Sequence, residues 1–121
     1  MIKALKVARI PVRDQDRALA FYTTALGFKV ATDAPMGPGM RWIELRIPGA
    51  DTRVALFCVL GQEARIGTFS GLSFACDDVE ATHAELTAKG VPFRQPPRKE
   101  EWGTSAIFSD PDGNEFVLST R

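Results

Sequence analysis

The chain has 121 residues, and its 15 Lys and Arg balance 15 Asp and Glu, for a formal net charge of zero beside a single His. That length suits one domain with its own core rather than two. Charge balance argues against a nucleic-acid binder held by phosphate contacts, which needs a basic surplus.

In chain order, residues 5–12 alternate, with Ala8, Ile10 and Val12 on one face and Val7, Arg9 and Pro11 on the other. Asp14 suits a helix N-cap; Leu19, Tyr22 and Leu26 recur at helical spacing, and Gly27 supplies the stop. Residues 28–31 read as a strand and 36–39 as a loop. Strands over 40–47 and 52–60 follow, joined by Pro48-Gly49-Ala50-Asp51.

The pattern then repeats. Residues 72–76 alternate, Asp77 or Asp78 caps a helix that ends at Gly90, and Asp77 with Glu80 has capping-box spacing. Phe93 begins a short strand, Pro96-Pro97 opens a charged loop, and residues 104–108 and 115–119 form the last strands. Asp110-Pro111-Asp112-Gly113 fits a type I turn with Gly at the left-handed position. Each half therefore reads strand, helix, three strands, at an offset of about 64 residues.

This predicts an α+β fold of two tandem βαβββ modules, roughly residues 1–62 and 68–121, within one domain. One helix covers only one face of a four-stranded sheet, so the modules should pair into a curved mixed sheet around a cleft. Ile10, Val12, Leu72, Phe74, Phe116 and Leu118 should meet the helices. Arg9, Ser73, Glu115, Val117 and Ser119 should then line the cleft. Cys58 and Cys76 sit in apolar runs without CxxC spacing, as expected of reduced thiols.

The longest apolar run, residues 54–60, is too short to span a bilayer. Residues 1–7 lack the apolar core and cleavage pattern of a signal peptide, so the expected location is the cytoplasm, with no membrane or nucleic-acid partner.

Ile10-Pro11-Val12-Arg13-Asp14, running on through Ala20-Phe21-Tyr22 to Leu26-Gly27-Phe28, resembles the opening signature of the vicinal oxygen chelate superfamily. That superfamily includes glyoxalase I, bleomycin-resistance proteins and extradiol dioxygenases. Trp102-Gly103 and Asp110-Pro111-Asp112-Gly113-Asn114 resemble its closing signature. The resemblance spans essentially the whole chain and implies a homodimer and a metal site with His, Gln or Glu ligands on four strands. Those ligand positions fall on Val7, at or near Leu56, on Gly71 and on Val117, none of which offers a donor side chain. No cofactor is therefore expected. An atypical carboxylate set such as Glu44 with Glu115 is the remaining route to a divalent metal.

The candidates left are chiefly ligand-binding. Arg9 can clamp a carboxylate or phosphate, or else form an internal salt bridge with Glu115 or Glu44. Glu115 is the candidate general base, or simply a paired strand carboxylate. Trp42, Glu44 and Arg46 share one strand face, which is either the cleft or a dimer surface. Trp102 can stack on a flat ligand or anchor its loop. Ser73 and Ser119 flank Val117, with no His placed as a base for a serine nucleophile. His83, mid-helix, reads as a packing residue.

These residues support a metal-independent small-molecule binding protein that sequesters an antibiotic or metabolite. The alternatives are a glyoxalase-like lyase or isomerase using Glu115 and Arg9 beside a carbonyl, and a purely structural or interaction module.

Overall fold

The computed structural model describes residues 1–58 and 61–120, and the chain divides into two units, Met1–Ile66 and Gly67–Arg121. The first unit runs β1 (Val7–Pro11), α1 (Gln15–Ala20), a π-helical turn (Phe21–Ala25), β2 (Lys29–Pro35), β3 (Arg41–Arg46), β4 (Arg53–Phe57) and a 3-10 turn (Glu63–Arg65). The second runs β5 (Phe69–Cys76), α2 (Val79–Ala88), β6 (Phe93–Glu100), β7 (Gly103–Ser109) and β8 (Glu115–Thr120).

Each unit is a βαβββ module, and its four strands form a mixed sheet ordered β1-β4-β3-β2 or β5-β8-β7-β6. The first strand lies parallel to the last, and the other neighbours are antiparallel. The α+β class and the tandem modules expected from the repeat are both present.

Local chemistry sets the helix boundaries. Asp14 caps α1, its Oδ1 accepting from the Arg17 N–H at 3.1 Å. Ala18 and Tyr22, four residues apart, are both 0% exposed and form the buried stripe. The predicted single helix to Leu26 changes pitch at Phe21, where the Leu26 N–H reaches back five residues to the Phe21 carbonyl at 3.4 Å. The Thr23 hydroxyl donates to the Leu19 carbonyl at 2.7 Å, competing for the acceptor an α-turn would use. In α2 the cap is Asp78, whose carboxylate accepts from the Ala81 N–H at 3.0 Å. The Asp77–Glu80 capping box is therefore incorrect: with Asp78 as cap, the third helical residue is Ala81.

Strand boundaries also differ, and β5 begins at Phe69 rather than at residue 72. β2 continues to Pro35, and β4 spans Arg53–Phe57; Val59 and Leu60 of its predicted extent lie outside the described residues. The expected loop after Phe93 is instead strand β6, with register shifts on either side of Gln95. Pro96 and Pro97 are tolerated there because β6 is an edge strand whose pairing with β7 is interrupted between Gln95 and Arg98, so neither proline has to donate to the ladder. Cys58 and Cys76 are half-buried thiols, and Cys58 Sγ donates to the Val12 carbonyl at 2.9 Å. Among the described residues no helix is long and apolar enough to cross a membrane.

Side-chain aim follows from packing. Ile10, Leu56 and Ile43 are register partners across β1, β4 and β3, as are Val54 and Leu45, and all are at most 1% exposed. Burial of each is worth roughly 1.5–3 kcal/mol. This apolar layer lies on the α1 side of its sheet, and Phe108, Phe116, Ala106 and Leu118 do the same beneath α2.

The β7–β8 connection is a buried polar turn. Gly113 N–H donates to the Asp110 carbonyl at 3.0 Å, closing the expected four-residue turn, and Gly113 has φ 84°. Asp110 Oδ1 accepts from the N–H groups of Asp112 (3.0 Å) and Asn114 (2.9 Å), while Asn114 Nδ2 donates to Asp110 Oδ2 at 2.9 Å. Asn114 Oδ1 also accepts from Gly67 N–H at 2.8 Å, tying the turn to the first residue of the unit. Gly67, at φ 81°, comes so close that a Cβ would stand 3.1 Å from the Asp112 carbonyl oxygen. Replacing Asn114 by Ala removes both side-chain bonds from a site 2% exposed. The expected cost is about 2–4 kcal/mol in urea unfolding, whereas a change below about 0.5 kcal/mol would show the turn to be locally self-sufficient.

Candidate functional site

Because alternate residues of a strand point to opposite sides, burying the Ile10–Leu56–Ile43 row commits its neighbours to the face away from the helix. In the first sheet that open face carries three cross-strand rows. Val7, Arg53, Arg46 and Lys29 are successive register partners, and so are Arg9, Ala55, Glu44 and Thr32. Pro11 pairs with Phe57 and Trp42 with Ala34 in the third. Trp42, Glu44 and Arg46 therefore share the face of Arg9, which periodicity alone left open.

These residues form one connected cluster. Glu44 stands at its centre, its Oε2 accepting from Arg53 Nη1 at 2.8 Å and its Oε1 from the Trp42 indole N–H at 3.2 Å. The Arg53 hydrogen bond holds the Glu44 carboxyl below the usual glutamate value; burial opposes it, and the indole bond adds to the lowering. The guanidinium carbon of Arg9 lies 5.3 Å from the Trp42 ring centroid, within cation–π range. Trp42 is thus fixed at its N–H by Glu44 and covered on one face by Arg9. The internal salt bridge considered for Arg9 is absent among the described residues: Glu44 is engaged by Arg53 and Trp42, and Glu115 by Arg94.

On the opposite face, Arg41 is held by two carboxylates, Asp16 of α1 and Asp33 of β2. Its hydrogen bond to Asp33 keeps that carboxyl low, and Arg41 is raised further above its already high value.

In the second sheet Ser73, Val117 and Ile107 are register partners, as are Ala75, Ser119 and Ser105. Glu115 pairs with Ser109 in β7 and with Phe69 in β5. The Glu115 carboxylate accepts from Arg94 Nε at 2.6 Å, so the candidate base is an ion-paired acceptor. Trp102 is 68% exposed in the turn between β6 and β7. His83 packs edge-on against Phe93, ring centroids 4.5 Å apart, as a packing residue of α2.

Arg53 and Arg94 were not singled out from the sequence. Arg53 lies diagonally across from Glu44 on the neighbouring strand, whereas Arg94 reaches Glu115 from β6 across β7, so cross-strand register and not one strand's pattern identifies them.

The positions that the family resemblance implies for metal ligands were expected to lack donors, and the structure places them as follows. Val7 and Val117 are apolar, and Gly71, at φ 76°, lies in the irregular stretch between Phe69 and Ser73. Leu56 requires a correction: it is 0% exposed on the helix side, and the open-face positions of β4 are Arg53, Ala55 and Phe57. Among the described residues no group of three or more His, Cys, Asp or Glu could hold a metal ion. Glu44 and Glu115, the atypical pair considered above, lie in different units, each held by its own arginine.

Two four-stranded mixed sheets, each built as a βαβββ module with one open face, define the architecture to which this chain belongs. A family model for the Glyoxalase/Bleomycin resistance protein/Dioxygenase superfamily matches residues 4–118, and the chain is a member of that superfamily. It is 36% identical over 118 residues to the uncharacterized protein YetH of Bacillus subtilis strain 168, covering 98% of each chain. A superfamily member from Sphaerobacter thermophilus DSM 20745 superposes with a TM-score of 0.90 at 36% identity, covering 99% of this chain and 98% of that one. TnmS3, an antibiotic binding protein from Streptomyces sp. CB03234, matches with a TM-score of 0.88 at 36% identity, covering 98% of this chain and 96% of that one.

Glu44 supplies a pH test. A carboxyl whose folded value lies below its unfolded one stabilises fully above the unfolded value, and that stability disappears as pH falls through the folded value. The contribution should therefore be intact at neutral pH and begin to fade near the ordinary value of 4.5. In urea unfolding from pH 7 to pH 3, Glu44→Gln should be less stable than the parent at pH 7, and the gap should narrow as pH falls below 4.5. A constant gap across that range would show that Glu44 does not gain from Arg53 as described.

Proposed function

We propose that this chain is a metal-independent small-molecule binding protein that sequesters an antibiotic or metabolite on the open face of its first sheet. The observation that carries the reading is the Arg9–Trp42–Glu44–Arg53 cluster. An indole locked by a hydrogen bond and covered by a guanidinium is a rigid aromatic anchor of the kind used to hold flat ligands. A preformed anchor lowers the ordering cost of binding. The likeness to TnmS3, an antibiotic binding protein, supports the same class of function. The lack of donors at Val7, Ala55, Gly71 and Val117 supports binding without metal chemistry.

The lyase or isomerase reading needs Glu115 available as a base. Its 2.6 Å pairing with Arg94 favours a carboxylate that shapes a surface over one that abstracts protons. Homodimerisation, which rests on the family resemblance, and a cytoplasmic location, which rests on the sequence reading, complete the proposal.

Metal analysis of protein purified without chelators, combined with a thermal-shift screen of antibiotics and metabolites, tests the proposal. Metal well below one equivalent per chain is expected, together with compounds that raise the melting temperature of the parent but not of Trp42→Ala. Stoichiometric Zn, Ni, Mn or Fe would contradict the metal-independent reading. A screen without stabilising compounds would contradict the binding reading.

A further inference from the structure

The row Val7–Arg53–Arg46–Lys29 places three cations side by side on adjacent strands. Lys29 is the register partner of Arg46, and Arg46 that of Arg53. Like charges directly opposite one another in a sheet destabilise it. Of the three, only Arg53 has a carboxylate, and it is Glu44, which also holds the Trp42 indole. Among the described residues neither Arg46 nor Lys29 has a carboxylate within ion-pair distance, and both are exposed. Arg9 adds a fourth cation in the next row, stacked on Trp42 and likewise without a carboxylate. Lys6, before β1, is near enough to help lower the Glu44 carboxyl. The open face thus carries four strand cations and one strand carboxylate, with Lys6 nearby, in a chain whose net charge is zero. The helix face of the same sheet behaves oppositely, giving its one strand arginine, Arg41, two carboxylates.

Such an arrangement costs stability at the strands that carry it, and sites that break a local stability rule are where function is to be sought. With neighbouring strands about 4.8 Å apart, the three cations span roughly 10 Å. That width suits one or two carboxylate, phosphate or sulfate groups of a small molecule, and it is too short to track a nucleic-acid backbone. We infer that the ligand of the proposed binding site is an acidic, ring-bearing small molecule. Its flat part lies beside the Arg9–Trp42 pair, and its anionic oxygens are held by Arg46 and Lys29. The inference rests on the binding function proposed above and specifies its ligand class.

Two measurements separate this inference from the function it rests on. In a Trp102→Phe background, Trp42 is the sole tryptophan, and its emission is titrated with 2-naphthoate and with uncharged 2-naphthamide at low salt. The acid should bind roughly tenfold or more tightly than the amide, the worth of one charge-assisted bond. That preference should shrink in an Arg46→Gln/Lys29→Gln double variant and fall with added salt. Inorganic phosphate, added in place of chloride at constant ionic strength, should compete with the acid if the row prefers phosphoryl groups, and should leave its binding unchanged if carboxylates are preferred. Equal binding of acid and amide would overturn the inference while leaving the binding function standing.

The second measurement needs no ligand. At low ionic strength Arg46→Gln should raise the melting temperature, because it relieves repulsion from Lys29 and Arg53, and salt should erase the gain. A lower melting temperature would show Arg46 to be a structural residue and would overturn the inference, even where neither aromatic probe binds.

Discussion

Strand parity, enforced by burial of one face of each sheet, is the constraint on which the rest depends. Ile10, Leu56, Ile43, Val54 and Leu45 interlock across three strands on the α1 side of the first sheet. A slip of one residue would expose all five and bury Arg9, Glu44 and Arg53 in their place. The hydrophobic layer therefore does more than stabilise the unit, since it aims every strand side chain on the opposite face. The second unit repeats the arrangement, with Phe108, Phe116 and Leu118 buried beneath α2 while Glu115, Val117 and Ser119 take the other face.

On that aimed surface, hydrogen bonds fix the polar side chains in place. Glu44 accepts from both Arg53 and Trp42, so neither the carboxylate nor the indole is left to wander. Val7, Ala55 and Val117 bring no lone pairs to the places where relatives that use metals would supply them. A surface of this kind can recognise a shape and a charge, which is the basis of the proposed binding function. Membership of a superfamily that includes lyases and dioxygenases does not by itself confer their reactions, because function resides in the site and not in the fold.

Much of this was legible in the sequence because it was written redundantly. The alternation of residues 7–12 and 115–119, the caps Asp14 and Asp78, and the Asp110–Gly113 turn each point to the same repeated module. The less legible parts are those where side chains compete with backbone rules. Thr23 widens the helix through its hydroxyl, which no periodicity reveals. Pro96 and Pro97 resemble a loop until β6 is known to be an edge strand. Within the site, Arg9, Trp42 and Glu44 were visible as residue types on shared faces. Their partners Arg53 and Arg94 depended on cross-strand register, which a single strand's pattern does not contain. The run 54–56 is apolar throughout, so the resemblance could place the fourth-strand position only at or near Leu56, and cross-strand register is needed to see that Ala55 and not Leu56 shares the face of Arg9.

Two-dimensional NMR of the protein, prepared without added metal and titrated with 2-naphthoate, addresses the central claim most directly, namely that the open face of the first sheet binds ligand on its own. The largest shifts are expected at the Trp42 indole N–H and at the amides of Arg9, Glu44, Ala55 and Arg46, with Ile10, Ile43 and Leu45 little changed. Absence of any shift, shifts confined to the helix side, or shifts that appear only after a divalent metal is supplied would contradict it.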